Sequence, residues 1–354
     1  MITRLTGLQT SGGLVVALWL LGGSLAAQPA VTVVMTGLGN PRGLAFGPEG
    51  ALYVAEAGRG GPGPCGVNSP GETRCYGPTG AITRLWRGVQ ERIVTGLPSH
   101  ALPNGEAASG PNDISFQGRG GAYVTIGLGH DPAILRPALG PAGPLFGTLL
   151  HVTASGTWRV IADISAYEKA VNPGGGPIDS NPFGVLAEPG ARIVADAGAN
   201  ALLEVRANGA ISSIATFPSR PIRSTDGVPT AVVVGPDGAY YVSELTGVPF
   251  AAGAARIYRV VPGEPPTIFL QGFKTITDID FGPDGSLYVL QHATGAMFFA
   301  GPGELIRVAP DGTRSVVLGG LIRPTSVVVD TDGTIYVTNQ GISVGIGQVL
   351  RIEP

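Results

Sequence analysis

Residues 40–58 read NPRGLAFGPEGALYVAEAG, and the pattern returns five more times along the chain. The variants are GPNDISFQGRGGAYVTIGLG, NPFGVLAEPGARIVADAG, VPTAVVVGPDGAYYVSELTG, TITDIDFGPDGSLYVLQHATG and RPTSVVVDTDGTIYVTNQG. An internal repeat of this length constrains the fold more than any composition does, because each copy must be one unit stacked on its neighbours. Every copy is a hairpin by its chemistry. Asp-Gly and Gly-rich turns tolerate the positive φ of tight hairpins, and Val, Ile, Tyr and Phe in the flanks suit half-buried strands. A third and a fourth apolar run follow in several copies, as in AGANALLEVRANGAISSIATF, with its turn at Asn208-Gly209, and PGELIRVAPDGTRSVVL, with its turn at Asp311-Gly312. The unit is therefore four antiparallel strands.

The turn glycines Gly190, Gly238, Gly285 and Gly333 stand 48, 47 and 48 residues apart. From Gly50 to Gly121 the spacing is 71, and from Gly121 to Gly190 it is 69, so the first two units carry extra loop, placed at about 58–80 and 127–147. Six such units read as an all-β, six-bladed propeller of the NHL-like kind. The sixth unit stops at GQVLRIEP, after its third strand. The segment VTVVMTGL, Val31 to Leu38, resembles the fourth strands ERIVTGL, PTIFLQGF and RSVVLGGL. It is expected to complete blade 6 and remove an open sheet edge.

Residues 1–27 read as a secretory leader: Arg4 is their only charge, Leu14 to Leu21 is the apolar core, and Ser24-Leu25-Ala26 offers a small-x-small cleavage site. The alternative is an uncleaved anchor, against which the core is short of the about 20 residues a span needs. Residues 28–354 form the propeller, with no later segment apolar and long enough to cross a membrane. Lys169 and Lys274 are the only lysines and the chain is mildly acidic, which excludes the basic patch nucleic acid requires. A secreted or periplasmic monomer is expected.

Cys65 and Cys75 are the only cysteines and sit in the first insertion. An even count in an exported chain points to a disulfide; a metal pair is the alternative, and two cysteines with no nearby histidine make a poor zinc site. One segment departs from strand. DISAYEKAVNP has capping-box spacing from Ser165 to Glu168 and ends before a proline, which predicts a short helix at about 165–171.

Aligning the units puts Glu56, Ile126, Asp196, Glu244, Gln291 and Asn339 at one position just after the second strand. Pointed at a channel mouth they make a polar ring; as strand-end residues they cap turns. The entries to the inner strands supply Asn40, Arg42, Asn112, Asp113, Asn181, Thr230, Thr277, Asp278, Arg323 and Thr325. Converging carboxylate and amide oxygens suit Ca²⁺, which would polarise a carbonyl or phosphoryl group and activate water. Arg42 and Arg323 offer another balance for the charge of Glu56, Asp196 and Glu244, a polar binding pocket without metal. The ring has a gap at Ile126, which favours the arginines. His130 and His292 are placed to share this face, although a solvated surface position is the plainer expectation for each histidine. The run Gly58 to Gly63 matches G-x-G-x-x-G by letter, but no helix follows it. H-E-x-x-H does not occur, and no catalytic residue or bound cofactor is assigned.

The elements NPRGLAFGPEGALYVAEAGRGG, CYGPTGAITR, GPNDISF, AYVTIGLG, AYEKAVNP, DSNPFGV and VLRIEP resemble the ScyD/ScyE family of NHL-repeat propellers. The resemblance covers nearly all of residues 28–354. It implies an exported six-bladed propeller, associated in some members with making an indole–phenol pigment, scytonemin, outside the cytoplasm. It carries over no catalytic residue. The expected function is binding of a small-molecule ligand or a protein partner on the loop-rich face. The alternatives are a metal-assisted hydrolase or lyase of the six-bladed lactonase type, and an extracellular protein–protein scaffold.

Overall fold

A computed structural model describes residues 29–69, 71–217 and 226–353. The expected leader, residues 1–27, lies outside the described residues. The chain folds into six antiparallel sheets set in a ring, a six-bladed β-propeller. The inner strands are Pro41–Phe46, Pro111–Phe116, Pro182–Glu188, Pro229–Val234, Ile276–Phe281 and Val327–Val329. Each runs into a hairpin turn whose glycine has positive φ: Gly50, Gly121, Gly190, Gly238, Gly285 and Gly333 lie between 78° and 110°. The repeat in the sequence is thus a repeat of one backbone conformation that favours glycine.

The second strands supply the core. Val54, Val124, Val194, Val242, Val289 and Val337 hold the same place in successive blades and are fully buried. Beside them a turn-proximal tyrosine packs on the next blade's phenylalanine at three junctions. Tyr53 meets Phe116 at 4.7 Å, Tyr241 meets Phe281 at 5.1 Å, and Tyr336 meets Phe46 at 5.6 Å between ring centroids. Between blades 2 and 3 the partner is Arg192, stacked 3.6 Å over Tyr123.

Blade 6 is closed as expected. The strand Ala30–Leu38 pairs antiparallel with Gly347–Glu353, from Ala30 opposite Glu353 to Leu38 opposite Gly347. The first insertion is more than loop. The strand Cys65–Val67 pairs with the start of a long third strand, Thr73–Trp86, and the disulfide Cys65–Cys75 bridges directly opposed residues. The second insertion, expected as loop, folds into helix α1, Pro132–Ala138, and a 3-10 turn, Gly140–Leu145. Arg136 secures them by donating to the Phe146 carbonyl and pairing with both oxygens of Asp163, at 2.9 and 2.7 Å.

The expected helix is present as α2, Ile164–Val171, but its cap differs from the one read in the sequence. Asp163 is the N-cap and its side chain accepts from the Ala166 N–H at 3.0 Å. Ser165 and Glu168 are inside the helix and buried, so the Ser-x-x-Glu spacing there is not a capping box.

Candidate functional site

Two layers of polar side chains stitch the inner strands to one another around the axis. In the upper layer, donors on one blade reach carbonyls on the next. Asn112 donates to Pro182 O at 2.9 Å, Thr230 to Ile276 O at 2.9 Å, Thr277 to Pro324 O at 3.3 Å and Thr325 to Pro41 O at 2.7 Å. Below it, acceptors receive the next blade's backbone N–H groups. Asp113 accepts from Val185 at 2.7 Å, Asp278 from Val327 at 2.9 Å, Asp280 from Val329 at 2.8 Å and Ser326 from Leu44 at 2.9 Å. Buried polar groups must be matched in this way, because an inner strand has no hydrogen-bonded strand on its axial side. Asp113 and Asp278, expected as site oxygens, belong to this seam.

The aligned position after the second strand has one role in four blades. The side-chain oxygen accepts from the backbone of the same blade's entry segment: Glu56 from Gly39 N at 2.6 Å, Asp196 from Asn181 N at 2.6 Å, Gln291 from Lys274 N at 2.5 Å and Asn339 from Ile322 N at 2.7 Å. Glu244 is buried at the same register, opposite Pro229. Glu56 also pairs with Arg92 at 2.9 Å, and Asp196 accepts from Ser180 Oγ at 2.7 Å and from Gly198 and Ala199. These residues clamp entry segments, as turn-capping chemistry would have them do. They do not form a ring of ligands at the mouth. Among the described residues no group of three or more His, Cys, Asp or Glu stands together so as to hold a metal ion.

A mouth cavity of about 260 Å³ nevertheless lies on the axis, and all six blades contribute to it. Arg42, Asn112, Asn181, Thr230, Thr277 and Thr325 line it, one from each entry segment, so the entry residues and not the strand-end residues face the axis. Arg74, from the first insertion, joins Arg42 there, with Phe183, Phe299 and Ile342 as apolar walls. Arg323 is not in the lining; it donates to Gly301 O at 3.2 Å at the rim. Asn40 bridges the loops behind the mouth, donating to Gly58 O at 2.7 Å and Gly105 O at 3.0 Å.

The electrostatics of the cavity are one-sided. Among the described residues that line it there is no carboxylate. Arg42 donates to the carbonyls of Gly341 at 2.9 Å and Ala108 at 2.7 Å and has no carboxylate partner among the described residues. Burial first, then the charge of Arg74, pushes its guanidinium down to about 10. Arg74 is balanced only at its outer end, by Glu72 at 2.8 Å.

His292 is a residue that sequence reasoning placed on the surface. It is buried, lines the mouth, and stands edge-on to Phe299 at 5.2 Å. Its Nδ1 lies 2.9 Å from Pro324 O. A carbonyl only accepts, so Nδ1 carries the proton and Nε2 the lone pair. Burial, with Arg323 and Arg42 adding repulsion, pushes it down to about 3 and keeps the ring neutral. His100, equally unremarkable in the sequence, is fully buried against Phe146 and likewise pushed down to about 3, by burial and by Arg74. His130, by contrast, is not part of the mouth lining; its carbonyl receives Ser180 N at 3.3 Å.

No protein-family model and no curated protein matches the chain. Solved structures do. Virginiamycin B lyase from Staphylococcus aureus superposes with a TM-score of 0.53 at 12% identity, over 92% of this chain and 100% of the other. The PQQ-bound aldose sugar dehydrogenase of Streptomyces coelicolor gives 0.53 at 14% identity, over 93% and 99%. A Bacteroides thetaiotaomicron protein of unknown function gives 0.57 at 10% identity, over 92% and 76%. At these identities the likeness shows the propeller fold.

Proposed function

We propose that the protein is an exported propeller that binds a small anionic molecule in the mouth of its channel. The observation that carries this reading is Arg42: a half-buried guanidinium on the axis, facing a cavity without a carboxylate. A charge held out of water without a counter-ion is costly, and a ligand acid group would supply the missing one through a charge-assisted hydrogen bond. Phe183 and Phe299 give the same cavity aromatic walls. These suit the phenolic and indolic compounds that the ScyD/ScyE resemblance implies. Export accords with the leader expected at residues 1–27 and with the Cys65–Cys75 bond, since disulfides persist in oxidising compartments.

Calorimetry with indolic and phenolic carboxylates, each against its neutral amide, tests this. The acid is expected to bind and the amide to bind at least about tenfold more weakly. Asn181→Asp keeps the side-chain oxygen that accepts from Leu128 N while adding a negative charge to the mouth. It should weaken the acid without unfolding the protein. Equal binding of acid and amide, or indifference to the added charge, would remove the reading.

His292 favours a second reading, in which the mouth carries out an elimination. Nε2 would take a proton from a carbon beside the ligand's acid group, a leaving group would depart from the adjacent carbon with its electron pair, and a C=C bond would form. A bound anion raises the imidazole's proton affinity, which is what a base in this place needs. The two readings separate on His292→Ala: loss of an elimination product with binding retained supports the second, and no product from the unaltered protein leaves only the first.

A further inference from the structure

A second cavity of the described residues is larger than the mouth. It is a cleft of about 560 Å³ between blades 1 and 2, open at the opposite face, among the hairpin turns. Ile82, Ile93, Ile114, Phe116 and Val152 wall it with apolar surface, and charged side chains stand at its rim.

The repeat explains why the cleft is open. The outer strands of blades 1 and 4 align at Gly96-Leu97 and Gly272-Phe273, where both glycines have positive φ, 79° and 91°. Four residues earlier stand Ile93 in blade 1 and Phe269 in blade 4. At the junction of blades 4 and 5, Phe269 packs edge-on to Tyr241 at 4.8 Å, and Tyr241 packs on Phe281 at 5.1 Å, so three rings fill the wedge. In the corresponding wedge between blades 1 and 2, beside the hairpin turns, only Tyr53 and Phe116 meet among the described residues, at 4.7 Å. Ile93 takes the place of the third ring and leaves apolar surface facing a space large enough for a small ligand.

The rim says what that ligand carries. Glu91 is taken by Arg84 at 2.8 Å, and Glu49 by the Tyr53 hydroxyl and, at 4.0 Å, by Arg84. Arg119 is the cation at the rim without a carboxylate partner among the described residues. We infer that the cleft between blades 1 and 2 is a second binding site, distinct from the mouth, for a small aromatic acid whose ring takes the place of the absent third ring and whose acid group faces Arg119.

The probe 1-anilinonaphthalene-8-sulfonate, an aromatic acid, tests this by fluorescence titration of the folded protein. Titrated in the Arg42→Met background, which removes the unpaired guanidinium from the mouth, the expected result is saturable binding of one probe per chain at the cleft. Ile93→Phe, which copies the filled junction of blades 4 and 5, should abolish it while leaving the melting temperature at or above that of the parent. Ala122→Leu, which fills the cleft from the opposite wall, provides the same test should the first variant fold poorly. Arg119→Glu should weaken binding about fivefold, the scale of an exposed ion pair reversed in sign. Absence of saturable binding in Arg42→Met, or binding there that survives a filled cleft, would each overturn the second site.

Discussion

Asp113 shows how a residue that reads as a ligand becomes part of the frame. Its Oδ2 takes the Val185 N–H of the next blade and its Oδ1 takes the N–H of Ile114. Beneath it the inner strands approach so closely that a Cβ on Gly43 would stand 2.7 Å from the Asp113 Cα, which is why a glycine is needed there. Asp113→Ala leaves the Val185 donor without its partner and should cost about 1–3 kcal/mol in denaturant unfolding. The seam also sets a pH dependence. Burial raises Asp278 to about 6 and Asp280 to about 7, and moves Asp113 in the same direction. It likewise raises Asp196 to about 6 and, with Asp196 and Asp179 adding repulsion, Glu168 to about 7. An acid whose folded pKa exceeds its unfolded value makes the folded chain hold more protons between the two. Stability therefore falls as pH rises from about 4 to about 7. His100 and His292 act oppositely, withdrawing stability as pH falls below about 6.5. The carboxylates outnumber them, so the melting temperature at about pH 5.5 should exceed that at about pH 8. A higher melting temperature at the alkaline end would show that these carboxylates are not the dominant titrating groups.

At the scale of elements, what was legible in the sequence is what local chemistry decides. Six hairpins follow from turn residues that specify their own backbone, so their positions and the fold could be read without tertiary information. Helix α2 was legible as a helix, but its cap was not, because Asp163 and Ser165 both offer capping oxygens and only packing chooses between them. Helix α1 was missed for a different reason. Its seven residues include two prolines, and it is held by Arg136 reaching Asp163 across 27 residues of chain, a contact no local pattern displays. The first insertion depends instead on a covalent bond. Its strand pairing is only three residues long, and Cys65 and Val67 are exposed. Replacing both cysteines by serine should release about 2–3 kcal/mol of loop constraint. The effect should be local, because the six buried valines that join the blades lie elsewhere. Hydrogen exchange should accelerate in residues 58–80, while the seam amides of Val185 and Val327 keep their protection. Faster exchange at those two amides would show that the insertion is part of the propeller's own stability.

At the scale of the whole molecule, the candidate site exists only because the ring closes. Arg42, Asn112, Asn181, Thr230, Thr277 and Thr325 are spread over most of the chain, and their convergence is a property of six-fold stacking. Their common face was legible from the repeat. Which of two polar positions per blade turns to the axis was not, since alignment gives register along a strand and not the direction of a side chain after it. Closure itself rests on one strand. Ala30–Leu38 covers the last strand of blade 6 and buries Met35 and Leu38 completely, while Val31 and Val33 on its outer side stay exposed. Deleting residues 29–38 removes two core side chains, each a loss of about 2–5 kcal/mol when truncated. It also bares the backbone edge of Gly347–Glu353. Together these exceed the effect of any single substitution above, and the exposed edge invites pairing between molecules. The truncated protein should therefore melt far below the parent and associate on size exclusion. A synthetic peptide of residues 29–39, added in excess, should bind that edge as a strand and restore both melting temperature and monomer. A truncated protein that melts like the parent would place the closing contact elsewhere, and a peptide without effect would mean that the strand must be in place while the ring assembles.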